Sequence, residues 1–227
     1  MFFAPFVFFW ALIFFLLLAF LFALIQIHII NYAFTMVGLP PSLAMLALLA
    51  ALIGSYINIP ITRIESNAPR TGPLVRSFGV AYRVPTHLAS GSTVIAINVG
   101  GAIVPILISA YVLFHWPAII GASIIGTAVV TFVVHRFARP IPGLGIATPM
   151  LVPPIAAALV AYVMDATVGV HHRDAVAFIS GVMGTLIGAD LLNLDHIAGL
   201  GAPVASIGGA GTFDGIFLTG IVAVLLA

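Results

Sequence analysis

Six of the 227 residues carry a carboxylate, and two of these stand in stretches too apolar to supply water. Asp190, in Gly188-Ala189-Asp190-Leu191-Leu192-Asn193-Leu194-Asp195-His196, falls near the end of one apolar stretch. Asp214, in Gly211-Thr212-Phe213-Asp214-Gly215-Ile216-Phe217, falls near the middle of the next. A carboxylate in an apolar medium needs a partner, a proton or an aqueous cavity. The two stretches are consecutive and glycine-rich, so by topology the nearest partner of each acid is the other. Two adjacent carboxylates share one proton: the ionised one takes a proton from water while the protonated one gives its proton to a peptide carbonyl. This is the chemistry of aspartic proteolysis, with Asp190 and Asp214 as the candidate catalytic pair. An ordinary helix would leave Asp190 near the interface and Asp214 deeper, so a dyad requires the first stretch to shift or the second to unwind at its glycines.

The other ionisable residues read as solvated. Asp165 and Asp174 flank a turn with His171 and His172, Asp174 being placed to cap a helix. His171-His172-x-Asp174 has ligand spacing but no second cluster to complete a metal site, so neither metal nor cofactor is expected. Asp195 and His196 are expected in a wet loop. No His-Glu-x-x-His, Gly-x-Ser-x-Gly or glycine-rich lysine loop occurs, and lysine and cysteine are both absent.

The elements that must position these acids follow from composition. Hydrophobic residues make up 63% of the chain and charged residues 6%, with a mean hydropathy of +1.29. About a quarter of a soluble domain is charged, so this chain reads as an integral membrane protein. A net charge of +1 leaves no basic field for nucleic acid. Crossing a bilayer takes roughly 20 apolar residues, and such stretches bounded by Gly, Pro or Arg predict an all-α membrane domain over 1–227. It has about seven transmembrane helices, near 6–33, 42–59, 93–113, 117–134, 148–164, 174–191 and 203–226. The first is phenylalanine-rich and reads as lipid-facing; its length and the absence of a basic start favour a retained span over a signal peptide. Pro149, Pro153 and Pro154 predict an extended or broken start to the fifth span. The Gly208-Gly209-Ala210-Gly211 cluster permits local unwinding in the seventh.

The arginines orient the chain. Arg63, Arg70, Arg76, Arg83, Arg136 and Arg139 fall on one side of a seven-span path and Arg173 on the other. The positive-inside rule then sets the N-terminus in the cytoplasm and the C-terminus outside, in the plasma (inner) membrane. The polar segment 60–91 reads as a small cytoplasmic β-hairpin between the second and third spans, pairing residues 61–66 with 74–84. Its arginines suit anionic lipid, and its edge could pair with an extended peptide.

The stretch Gly209-Ala210-Gly211-Thr212-Phe213-Asp214-Gly215 loosely resembles the Gly-x-Gly-Asp motif of presenilin-type intramembrane aspartyl proteases. Gly188-Ala189-Asp190 takes the place of their Tyr-Asp motif, and Ala147-Thr148-Pro149-Met150 is similar to their Pro-Ala-Leu element. Thr212 and Phe213 interrupt the first motif, no Tyr precedes Asp190, and the proline element comes before both acids. As a whole, the chain looks like a prokaryotic multi-pass membrane family of unknown function. The protease resemblance implies a membrane-spanning peptide as substrate, bound by Ala147, Thr148, Pro149, Met150 and Gly211. The competing class is transport, as a monomer or a homo-oligomer, with the same aspartates as proton or cation sites and Asn98, Pro105 and the broken helices exposing backbone polar groups. A purely structural role remains for Asn98 as a hydrogen bond between helices.

Overall fold

The computed structural model describes residues 4–65, 74–77, 80–83, 92–141, 145–199, 202–209 and 215–227. Helix α1 (Ala4–Val37) is apolar on every side, and most of its length is exposed, from Phe8 at 71% to Ile29 at 39%. Only its last turns, with Ala33, Phe34 and Val37, are buried. Helix α2 (Pro41–Gly54) follows a turn in which Gly38 takes a φ of +99°. Next come β1 (Asn58–Glu65), β2 (Leu74–Ser77), β3 (Val80–Arg83) and β4 (Ser92–Asn98). A π-helical turn, Val99–Ile103, leads into α3 (Val104–His115), and a short 3-10 turn from Pro117 leads into α4 (Ile120–Phe137). A short ribbon of β5 (Arg139–Ile141) and β6 (Gly145–Ala147) precedes α5 (Val152–Val168) and α6 (Arg173–Thr185). The chain ends with a π-helical turn Leu186–Asp190, a 3-10 stretch Leu191–Gly199, β7 (Val204–Ile207) and α7 (Gly215–Leu226).

Helix α6 is the hub, packed on α4, α5 and α7, and its residues from Ala175 to Val182 are all buried. Small residues make this approach possible. A Cβ on Gly184 would lie 2.6 Å from the Val130 side chain, and one on Gly220 would lie 2.7 Å from Val182. Phe34 closes the bundle, its ring centroid 6.3 Å from that of Phe178 and 5.8 Å from that of Phe217, both edge-on. At one end of the bundle three turns meet. The Trp116 ring sits 3.8 Å from that of His172, and a Cβ on Gly38 would meet the Trp116 indole nitrogen at 2.9 Å.

Among the described residues, three helices are long and apolar enough to cross a membrane: Phe8–Val37, Pro117–Phe137 and Arg173–Ile197. Four more are apolar but shorter: Pro41–Gly54, Val99–His115, Val152–Val168 and Gly215–Leu226. This mostly helical architecture fits a membrane protein.

It is not all-α. Strands β1, β4 and β7 form one sheet in that order, β1 antiparallel to β4 and β7 parallel to it. Three predicted spans are thereby corrected. The second ends at Gly54 rather than residue 59, residues 93–98 are strand rather than the start of the third, and residues 204–207 of the seventh are strand rather than helix. The physical reason lies in Thr93, Val94, Ile95 and Ile97, all β-branched, in a strand packed on both sides, where hydropathy alone cannot separate strand from helix. The expected hairpin is also re-paired. β1 takes β4 as its partner, with Glu65 opposite Ser92, while β2 pairs with β3 inside the segment expected to be one strand. As expected, the start of the fifth span is not helical: Ala147 is in β6, Thr148 and Pro149 are extended or irregular, and the helix starts at Val152.

Candidate functional site

Asp190 closes the π-helical turn that follows α6. Gly188 brings that turn against α4, because a Cβ there would stand 2.6 Å from the Thr131 carbonyl oxygen. A π turn carries one residue more per hydrogen-bonded ring than an α turn and is often found where a side chain must be re-aimed. Here the Asp190 side chain is half-buried, and its Oδ2 accepts a hydrogen bond of 2.8 Å from the backbone N–H of Gly208. Asn193, three residues on, directs its Nδ2 at the carbonyl oxygens of Gly188 (3.0 Å) and Ala189 (2.9 Å), and at Nδ1 of His135 (3.3 Å).

Gly208 and Gly209 follow β7 with φ of +86° and +87°, so the chain is not helical there. A Cβ on Gly208 would lie 2.7 Å from both N and Cβ of Ala102, in the π-helical turn before α3. Two π-helical turns therefore abut one glycine, one through packing and the other through the Asp190 carboxylate. The sheet beneath is locked by Asn98, which is 1% exposed. Asn98 Oδ1 accepts from the Gly101 N–H at 2.8 Å, and its Nδ2 donates to the Ser55 carbonyl at 2.7 Å and to Asn58 Oδ1 at 3.0 Å. The Ser206 hydroxyl donates to the same Asn58 oxygen. Asn98 thus ties the sheet to the start of a π-helical turn and to the end of α2, and does not link two helices as expected.

A cavity of about 400 Å³ opens beside Asp190. Ala147, Thr148, Pro149 and Met150, the expected substrate-binding segment, line it together with Asp190. So do Ser206, Thr185 and Thr219, amid mostly aliphatic walls. Gly209 and Gly215 also line it. Gly211 and Asp214 lie outside the described residues. The structure therefore brings together one expected catalytic residue and four of the five expected substrate-binding residues.

The remaining candidates have other roles. His172 packs its ring against Trp116, tilted by 32°. Asp174 does not cap α6: it lies in the first turn, its carboxylate 4.0 Å from Arg173 Nε, where the helix dipole favours a negative charge. Asp195 and His196 are exposed on the 3-10 stretch, as expected. Among the described residues no group of three His, Cys, Asp or Glu side chains is close enough to hold a metal ion. Two contributors escaped the reading of motifs. Gly208 stood in a glycine cluster read only as a place to unwind, and Asn193 had only its position three residues after Asp190 to mark it.

No curated protein and no solved structure matches the chain. Residues 52–226, from the end of α2 to the end of α7, match the family described as "Protein of unknown function (DUF1614)". That match leaves α1 outside and takes in the sheet, both π-helical turns and every residue of the site, and by it the chain belongs to the DUF1614 family.

Proposed function

We propose that this protein is an intramembrane aspartyl protease-like enzyme that cleaves membrane-spanning peptides with Asp190 and Asp214 as its dyad. One observation carries the reading: a single cavity is lined by Asp190, by the Ala147 to Met150 segment, and by Gly215, the residue to which Asp214 is bonded. In this reaction the ionised carboxylate takes a proton from water, whose oxygen bonds to the peptide carbonyl carbon. The protonated carboxylate gives its proton to the carbonyl oxygen, and collapse of the tetrahedral species breaks the C–N bond as the amine is protonated. The strand at Ile146 and Ala147 offers an edge to which an unwound substrate can add as a strand, and the resemblance to presenilin-type proteases supports the same roles. The enzyme sits in the plasma (inner) membrane with its N-terminus cytoplasmic and its C-terminus outside, surrounded by lipid.

The test is cleavage of a transmembrane peptide by purified protein in detergent or bilayer. Asp190→Asn and Asp214→Asn should each lower kcat by roughly 10²- to 10⁴-fold in protein that still elutes as a folded species. Retained cleavage in either variant overturns the reading. A second reading, proton- or cation-coupled transport, is favoured by the two π-helical turns that meet at Gly208, since broken helices expose backbone dipoles to a solute. It predicts gradient-driven flux in proteoliposomes that the same two substitutions abolish.

A further inference from the structure

We infer that Asn193 is a positioning residue for Asp190, holding the backbone that aims its carboxylate; this rests on the reading of Asp190 as the reacting acid. Asn193 is 4% exposed and is not among the residues that line the cavity, so a substrate there does not meet it. Its amide group reaches back along the chain. Nδ2 lies 2.9 Å from the Ala189 carbonyl oxygen and 3.0 Å from that of Gly188. The Ala189 carbonyl belongs to the peptide plane that contains the Asp190 nitrogen, so any rotation of that plane changes φ of Asp190 and swings its Cβ.

This is the point where the helix passes from π to 3-10 pitch, and where the ladder partners of the carbonyls change. A side-chain donor is therefore well placed. The amide cannot turn over, because its oxygen would then face two carbonyl oxygens. His135 Nδ1 lies 3.3 Å from the same nitrogen, on α4, and brings the neighbouring helix against the Asn193 amide. Asp190 is thus held at both ends: its backbone through Asn193, and its carboxylate by the Gly208 N–H at 2.8 Å.

The test compares Asn193→Leu, which nearly preserves volume but has no donor, with Asn193→Ala and with His135→Ala. For cleavage of a transmembrane peptide, the two Asn193 variants should lose kcat by roughly tenfold to a hundredfold with KM within about twofold, since a misplaced reacting group affects the chemical step rather than binding. His135→Ala, which keeps both carbonyl contacts, should stay within about threefold of wild type. A second measurement does not depend on cleavage. The chain has no cysteine, so Asp190→Cys carries its sole thiol, and adding Asn193→Leu should change its alkylation rate by a small maleimide at least about threefold. Wild-type kcat in Asn193→Leu, or an unchanged alkylation rate, overturns the inference. Failure of both Asn193 variants to fold overturns it as well, because Asn193 would then serve the fold and not the acid. If Asp190→Asn still cleaves, the proteolytic reading falls by itself, and the alkylation rates still decide the role of Asn193.

Discussion

The backbone N–H of Gly208 donates to Oδ2 of Asp190 across 2.8 Å, and through this contact the turn after β7 meets the end of α6. The donor is placed by three separate constraints. β7 is paired to β4 from Val204 to Ile207, Ser206 is bonded to Asn58, and Gly208 itself is pressed against the turn at Gly101 and Ala102. A peptide N–H fixed in this way needs no reorganisation to serve a carboxylate, the condition under which a dipole is most effective.

Gly208→Ala should break this arrangement. The residue sits at φ +86°, and a Cβ would come 2.7 Å from Ala102 and 2.9 Å from the Gly101 carbonyl carbon. Backbone strain alone costs of order 1–3 kcal/mol, and here the turn must also move away from Asp190. Thermal unfolding in detergent should show a lowered midpoint, and cleavage of a transmembrane peptide should fall more than stability explains. An unchanged midpoint would mean that the turn at Gly208 is looser than its contacts indicate.

Glycines on the same helix pair should differ sharply. Gly188→Ala would drive a methyl group to 2.6 Å from the Thr131 carbonyl oxygen, while Gly121, on the other member of the pair, has nothing within 4 Å of its would-be Cβ. Overpacking at position 188 should cost about 1–3 kcal/mol or more. Gly121→Ala should be neutral or stabilise by about 0.5 kcal/mol through helix propensity. Chemical denaturation of the two variants in mixed micelles checks the difference and its sign.

The apolar stretches, the turn at Gly38 and Pro40, and the non-helical approach to Pro153 were all legible in composition and punctuation. So was the break at Gly208 and Gly209, because consecutive glycines inside an apolar run have no reason to be there for lipid. The sheet was not legible. Val94, Ile95 and Ile97 carry a β-branched signal, but the parallel partner of Ile95 is Ala205, 110 positions away across most of the helical bundle. No local pattern reports such a pairing. Asp190 was legible because a lone acid in an apolar run is costly. Asn193 was not, since an Asn at a helix end is ordinary and only the geometry shows its amide turned back onto Gly188 and Ala189.

Asn98→Ala should test how firmly the sheet is locked to the bundle. The substitution removes the acceptor of the Gly101 N–H and the donor to the Ser55 carbonyl, leaving both groups buried. A buried group stripped of its partner costs about 1–3 kcal/mol. Because Asn58 also receives Ser206, on the cavity wall, the loss should reach the site. The measurement is the unfolding midpoint together with the alkylation rate of a cysteine introduced by Ser206→Cys, with and without Asn98→Ala. A lowered midpoint with an unchanged rate would confine Asn98 to stability.

The two ends of α4 should face opposite sides of the membrane. Its 18 residues at about 1.5 Å of rise each come close to the apolar thickness of a bilayer, and the flanking 3-10 turn from Pro117 lengthens the apolar element to 21 residues. Phe114, just before it, is 86% exposed, and Arg139, just after it, is exposed at the start of β5. With Arg136 and Arg139 at that second end, the positive-inside rule predicts that it faces the cytoplasm. In a chain without native thiols, Phe114→Cys should be labelled by an impermeant maleimide added to intact cells, and Arg139→Cys only after the membrane is opened. The reverse pattern would turn the molecule over and put the C-terminus inside. Labelling of both from outside would mean that α4 does not cross, and the arginines would then be reporting surface attachment and not orientation.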